Sequence, residues 1–237
     1  MSNTESFEQR LQRELLNKKS PHFNIYYYPD STAEREIDLI ISQREKAYQK
    51  IAEYLDFRDE LSIDLYFFEN ADLKREITGH TGAGWAYDTS MVEVYNATVK
   101  VNPYHELVHV FTQSVYGYTV SAFNEGFAVY MCKLLGDDTY DEKMKKFYEN
   151  GELLTLPQLL SVSIGNSGSK PLISYPQAAS FVEFIIFKLG KAVFFDLYVA
   201  LHCNYTAESI AYNIETIENA YGQKIGTIEK EWLNWAI

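Results

Sequence analysis

His105-Glu106-Leu107-Val108-His109 places two histidines four residues apart, with a glutamate directly after the first. On an α-helix, positions i and i+4 lie about 40° apart around the axis, so both imidazole rings point to the same side. Two such rings can share one metal ion, and a glutamate at the edge of that face can reach a water molecule without binding the ion itself. The pentapeptide therefore predicts a helix that carries two metal ligands and a general base.

The residues around this pentapeptide favour a buried helix. Asn102 can cap the helix, and Pro103 can occupy its first position, where a missing N–H has no cost. Apolar residues then recur at helical spacing, namely Tyr104, Leu107, Val108, Phe111 and Val115. Because unpaired polar groups in a protein interior cost several kcal/mol, the buried histidines need a partner, which a zinc ion would supply. A surface helix that happens to carry two histidines is the alternative.

A catalytic zinc site needs a third protein ligand and an open position for water, and Glu125 is the candidate. It lies in a second apolar segment, where a lone carboxylate is usually paired, bound to metal or protonated. Gly126 and Ala128 would let this helix approach a neighbour closely, as Glu125 requires if it is to reach a metal held by the preceding helix. A glutamate that begins a helix and faces solvent is the alternative interpretation.

These residues resemble a known family. The His-Glu-x-x-His helix followed by Asn124-Glu125-Gly126-Phe127-Ala128 is similar to the gluzincins, the zinc peptidases whose third ligand is a glutamate, and within them to the stand-alone peptidase MA-like domains. Looser similarities lie in the segments before and after, namely Thr81-Gly82-Ala83-Gly84-Trp85-Ala86-Tyr87, Met91-Val92-Glu93-Val94-Tyr95, Ser174-Tyr175-Pro176-Gln177-Ala178-Ala179-Ser180-Phe181-Val182 and 222–232. The resemblance implies a zincin-like α+β fold and one Zn²⁺ per chain, bound by His105, His109 and Glu125.

The same resemblance implies a metallopeptidase that hydrolyses peptide or protein substrates, with Glu106 as general base. By analogy with the family, Tyr175 would stabilise the oxyanion, although a tyrosine that only packs at a helix start is an equal alternative. His80 and His202 are weaker candidates for that role. The Gly-x-Met-x-Asn loop of the gluzincin aminopeptidases is absent, which favours an endopeptidase or oligopeptidase.

Two other classes of function remain open. One is a zincin-fold domain that binds metal and a protein or peptide partner without proteolysis, although binding alone does not require the base Glu106. The other is a helical interaction protein in which the motif is accidental.

The order of the predicted elements favours an α+β fold with a β-rich N-terminal lobe, an active-site helix and a helical C-terminal lobe. We predict an N-terminal helix or extension over 1–20 and a single zincin-like domain over 21–237, with lobes of about 21–116 and about 117–237. Strands are predicted over 22–28, 61–68, 84–87 and 91–101. Helices are predicted over 7–19, 32–55, 103–116, 122–135, 140–149, 175–189, 191–201, 206–220 and 226–236. Residues 161–174, rich in Gly and Ser, are predicted to form a loop.

Composition limits the function further. A chain of 237 residues with 46% hydrophobic content can bury a core, and its net charge of −12 argues against nucleic acid or anionic membranes as partners. No membrane span is predicted, because charges such as Glu183 and Lys188 interrupt the longest apolar region. The N-terminus lacks the pattern of a secretory signal, so we expect a cytoplasmic protein, or a secreted or cell-envelope protein if a signal has been removed. Cys132 and Cys203 do not make a disulfide framework. The sequence predicts no oligomeric state.

Overall fold

The fold is α+β, as predicted. The computed structural model describes residues 13–134, 140–165 and 169–237, and the chain divides into two compact units, Met1–Ser114 and Val115–Ile237. The first unit contains a five-stranded mixed sheet with helices. The described part of the second unit is built from helices.

The sheet of the first unit has the strand order β1-β2-β3-β5-β4. Parallel pairing joins β2 to β3 and β3 to β5, whereas β1 and β4 are antiparallel to their neighbours. Strand β4 is therefore an edge strand, and it forms an antiparallel hairpin with β5. The strands are β1 (Leu16–Lys19), β2 (Phe23–Tyr27), β3 (Ile63–Phe68), β4 (Gly84–Tyr87) and β5 (Ser90–Val94).

The helices of the first unit pack through their apolar side chains against buried residues of the sheet and its surroundings. Tyr48 of α2 stacks on His22 and meets the ring of Phe111 edge-on. Elsewhere Leu73 and Ile77 of α3 pack with Val92 of the sheet. The helices of this unit are α1 (Thr32–Arg35), α2 (Ile37–Leu55) and α3 (Ala71–Thr78), together with α4 (His105–Tyr116), whose end extends into the second unit.

Three sequence expectations for the first unit need correction. The predicted helix over 7–19 is wrong at its end, since Leu16–Lys19 pairs with β2 as a strand; residues 7–12 lie outside the described residues. The predicted strand over 91–101 ends at Val94, because the side chain of Asn96 accepts the N–H groups of Thr98 and Val99 and closes a turn. Helix α3 was not predicted.

The second unit is organised around the packing of α5 on α8. A β-carbon at Gly126 of α5 would lie 2.7 Å from the carbonyl oxygen of Ala178 in α8, so these two helix backbones are in close contact. In the same unit the ring of Phe123 stacks on Phe194, and the ring of Phe127 is tilted against Phe194. The helices are α5 (Ser121–Leu134), α6 (Asp141–Glu149), α7 (Leu156–Leu160), α8 (Pro171–Leu189), α9 (Lys191–Ala200), α10 (Ala207–Tyr221) and α11 (Ile225–Ala236).

Helix α8 begins earlier than predicted, and it is long and apolar. It begins at Pro171, so the predicted loop over 161–174 is wrong from that residue onward; residues 166–168 lie outside the described residues. By length and composition α8 could cross a membrane, but 56% of its most apolar window is buried inside the fold, as in a core helix. Neither Cys132, which is buried, nor Cys203, which is exposed, forms a disulfide within the described residues.

Candidate metal centre

Helix α4 presents the motif from a largely buried position. The helix begins at His105, two residues later than predicted, because Pro103 and Tyr104 form a turn before it. The side chain of Asn102 accepts the N–H of Tyr104 at 2.8 Å, as a capping residue would. Glu106 is only 7% exposed and His109 only 6%. Both polar side chains are thus held in an apolar helix.

The structure brings the three predicted metal ligands together. The rings of His105 and His109 lie 5.0 Å apart and nearly perpendicular. One ligand atom from each histidine and one carboxylate oxygen of Glu125 all lie within 4.8 Å of one another. Two imidazoles and one carboxylate form a donor set of catalytic zinc sites, in which each ligand atom lies about 2 Å from the ion. The donor set of the residues present therefore fits a zinc ion.

Glu125 is supported by neighbours in its own unit. The side-chain amide of Asn124 donates to Oε1 of Glu125 at 3.3 Å, and the hydroxyl of Tyr198 donates to Oδ1 of Asn124 at 2.8 Å. Such outer hydrogen bonds orient ligand carboxylates. The sequence did not identify these two residues, because Tyr198 lies 74 positions away from Asn124.

Glu106 lies against a glycine of the edge strand. A β-carbon at Gly84 would lie 2.2 Å from Oε1 and 2.8 Å from Cδ of Glu106. No side chain larger than hydrogen fits there without moving the carboxylate. Gly84 therefore provides the space in which Glu106 sits, a role that the sequence analysis missed.

A buried ion pair joins the sheet to the chain just before α4. Arg44 donates to Glu93 and, at 3.0 Å, to the carbonyl oxygen of Pro103. Burial raises the pKa of Glu93, and the charge of Arg44 acts in the opposite direction. Because Arg44 bridges α2, β5 and Pro103, it fixes the position at which α4 begins relative to the sheet.

A second buried cation lies next to the edge strand. Lys74 of α3 is fully buried, and its ammonium group donates to the carbonyl oxygen of Gly82 at 2.8 Å and lies 3.1 Å from Nδ1 of His80. Burial lowers the pKa of Lys74, while the charges of Glu106 and Glu93 act to raise it. This lysine was not a candidate from the sequence, since α3 was itself not predicted.

The remaining candidates lie in the second unit. Tyr175 lies inside α8 and not at a helix start as predicted, and with Val129, Tyr140, Lys143 and Pro176 it lines a cavity of about 180 Å³. Its hydroxyl would lie 3.1 Å from a β-carbon at Gly165.

His202 is exposed and stacks on Tyr212 of α10, with ring centroids 4.2 Å apart. That contact gives His202 a packing role.

Comparison with known proteins supports the fold but stops short of a family assignment. No protein-family model matches the chain, and no curated protein matches it. Solved structures do match. One is an M1 zinc metallopeptidase variant from Deinococcus radiodurans, with a TM-score of 0.56, 12% identity and coverage of 92% of this chain and 52% of that chain. A second is the M1 zinc metallopeptidase from the same organism, with a TM-score of 0.54, 11% identity and coverage of 92% of this chain and 52% of that chain.

A third match is the same organism's variant bound to a Tyr-Ser-Ala substrate, with a TM-score of 0.57, 12% identity and coverage of 92% and 51% of the two chains. The chain thus spans about half the length of the structures that it matches. At this level of identity the likeness is one of fold, and the fold is zincin-like.

Proposed function

We propose that the chain is a zinc-dependent metallopeptidase of the gluzincin type, which cleaves internal bonds of proteins or oligopeptides. The observation that carries the proposal is the grouping of His105, His109 and Glu125 within 4.8 Å, with the buried carboxylate of Glu106 on the same helix as the histidines. The shared fold supports it, as does the Tyr-Ser-Ala substrate bound to one of the similar structures.

Each residue of the group has a distinct role in this proposal. His105, His109 and Glu125 would hold one zinc ion, which when bound supplies a Lewis acid for the attacking water and for the scissile carbonyl. Glu106 takes the proton of the attacking water and passes it to the leaving amine. Its carboxylate lies in the space that Gly84 leaves by having no side chain.

Substrate and oxyanion would be held by residues outside the ligand group. Among the residues that the structure describes, no strand pairs with the outer edge of β4, so an extended peptide can add to it through main-chain hydrogen bonds. The hydroxyl of Tyr175 is our candidate for the donor to the oxyanion. This assignment rests on the resemblance of the α8 sequence to that of the gluzincins.

The alternative is a zincin-fold domain that binds metal and a peptide partner without cleaving it. The packing of Glu106 argues for the peptidase. Burying a carboxylate is costly, and a domain that only binds has no need of one beside the two histidines.

Two variants test the proposal. His109→Ala should lose most of the zinc, because each ligand supplies a large part of the affinity. Glu106→Gln should keep zinc and fold yet lose peptide hydrolysis by orders of magnitude. Zinc is measured by elemental analysis and hydrolysis by mass spectrometry of a peptide mixture. His202→Ala, which removes a histidine outside the group, is the matched control and should change neither quantity.

Stoichiometric zinc in His109→Ala would show that the ligands are assigned wrongly. Equal hydrolysis by Glu106→Gln and the parent would remove Glu106 from the mechanism. Bound zinc without any hydrolysis by the parent would favour the non-proteolytic binding domain.

A further inference from the structure

The imidazole of His80 is held in one tautomer by its neighbours. The backbone N–H of Gly82 approaches Nδ1 at 3.2 Å, and Nζ of Lys74 approaches the same atom at 3.1 Å. A backbone N–H can only donate, so Nδ1 must accept and carries no hydrogen. The hydrogen of the neutral ring is therefore on Nε2, which makes Nε2 a hydrogen-bond donor.

The orientation of this ring is fixed as well. It stacks on Trp85 of β4 with centroids 5.2 Å apart and planes within 5° of parallel. Lys74 is fully buried and also holds the carbonyl oxygen of Gly82, so both sides of the 80–82 turn are tied to α3. A ring that is stacked on one face and bonded through Nδ1 cannot rotate freely. The N–H of Nε2 consequently points in one direction.

The charge state of the ring is also set by its surroundings. Burial lowers the pKa of His80, and the charge of Lys74 lowers it further, while Glu106 acts in the opposite direction. His80 is thus kept neutral at neutral pH, with Nε2 as donor. Within the part of the chain that the structure describes, Nε2 forms no hydrogen bond, and the residue is half-buried.

Nearby, strand β4 lies at the edge of the sheet, and no described strand pairs with its outer side, where an extended peptide could bind. His80 lies four residues before Gly84, where β4 begins, and its ring stacks on Trp85 of β4. We propose that His80 is a substrate-binding residue whose Nε2–H donates to a carbonyl oxygen of a peptide bound along the edge of β4. This inference rests on the proposed function, and it adds a side-chain contact to the main-chain pairing.

The test measures peptide binding separately from cleavage. Acetylated peptides from the hydrolysis mixture are labelled with fluorescein, and their dissociation constants are measured by anisotropy in the zinc-loaded Glu106→Gln protein. His80→Phe keeps a flat ring for Trp85 but deletes the donor, and should weaken binding about tenfold. His80→Gln restores an N–H donor near the position of Nε2 and should bind within about threefold of the parent. His202→Phe, at the exposed histidine stacked on Tyr212, is the matched control and should leave binding unchanged.

A second readout separates binding from a general loss of structure. With Glu106 intact, His80→Phe should raise KM about tenfold and change kcat by less than about threefold, as expected when an interaction made equally in the ground state and transition state is lost. Equal affinity of His80→Phe and the parent would overturn the inference, as would His80→Gln binding as weakly as His80→Phe. Absence of peptide binding to the Glu106→Gln protein would overturn it too. Failure of the proposed function would give a different result, because the unmodified protein would then bind no zinc or hydrolyse no peptide.

Discussion

A missing side chain at Gly84 leaves the space that Glu106 occupies. The atoms that a β-carbon would meet, Oε1 at 2.2 Å and Cδ at 2.8 Å, belong to the far end of a flexible side chain. Gly84→Ala should therefore fold and bind zinc, because Glu106 can rotate away. That rotation misplaces the base, and a displacement of about 1 Å can lower the rate about 100-fold.

Steady-state kinetics and zinc analysis of Gly84→Ala check this prediction. We expect kcat/KM to fall about 100-fold with zinc at the parental level. Gly226→Ala is the matched control, since a β-carbon there meets nothing within 4 Å, and its kcat/KM should equal that of the parent. Parental kcat/KM in Gly84→Ala would show that the exact position of Glu106 is not needed.

The residues of the site differ in how far the sequence could predict them. His105, Glu106 and His109 were predictable because their relation is local, being set by the helical repeat. Gly84 was not, since its contact with Glu106 depends on the sheet register that pairs Gly84 with Glu93. The orientation of His80 likewise depends on Lys74 and therefore on a helix that the sequence analysis did not predict.

At the level of helices and strands, Gly126 shows both the strength and the limit of a sequence argument. The small residue correctly indicated that α5 approaches another helix closely. The observed close contact is with α8, through the carbonyl of Ala178, whereas the sequence analysis had linked it to the helix of the histidines. A small residue indicates that a helix can approach a neighbour closely, but tertiary packing determines which helix that neighbour is.

This contact gives a prediction for stability. In Gly126→Ala the new methyl group would lie 2.7 Å and 2.8 Å from backbone atoms of Ala178, and backbone cannot move aside as a flexible side chain can. Overpacking of this kind costs about 1–3 kcal/mol, so the free energy of unfolding should fall by that amount. Gly226→Ala, in the open in the first turn of α11, should instead raise it, by less than the roughly 0.5–1 kcal/mol that alanine gains over glycine in a helix interior.

Urea unfolding followed by circular dichroism distinguishes the two variants. Opposite shifts of the midpoint at an unchanged m-value are expected. If Gly126→Ala were as stable as Gly226→Ala, the close contact of α5 with α8 would be wrong.

Missed and misplaced elements have local causes. The caps of α3 are present in the sequence, since the side chain of Asn70 accepts the N–H of Leu73 and Gly79 ends the helix with φ of 74°. The helix was nevertheless not predicted, because its residues are mostly charged or polar and it lies between two strands in the sequence. The over-long strand prediction beyond Val94 failed because the apolar Val99 and Val101 continued the strand pattern through a turn.

For the whole molecule, the α+β class was predictable because strands precede residue 95 and helices dominate after residue 105. The strand order β1-β2-β3-β5-β4 was not, since parallel pairing between distant strands leaves no local signature. The position of β4 at the edge is nonetheless what the proposed mode of substrate binding depends on. An edge strand is the place where an extended substrate can pair with the sheet.

The choice of cleavage position follows from the residues on that edge strand. Residues 82–87 contain Gly, Ala, Trp and Tyr, without a carboxylate before Asp88. A free amino terminus is an ammonium group, which needs carboxylates to hold it, whereas a peptide backbone needs only main-chain partners. We therefore expect cleavage within peptides, at rates that do not depend on whether the amino terminus is free or acetylated.

Mass spectrometry of a peptide library with both kinds of terminus measures this directly. Equal internal cleavage of the two sets, abolished in Glu106→Gln, is the expected result. Trimming of single residues confined to free amino termini would contradict it and would require an ammonium-binding carboxylate elsewhere in the chain. Because β4 offers the same main-chain groups to a peptide of any sequence, we also expect the side chains of the substrate residues that pair with β4 to have little influence on where cleavage occurs.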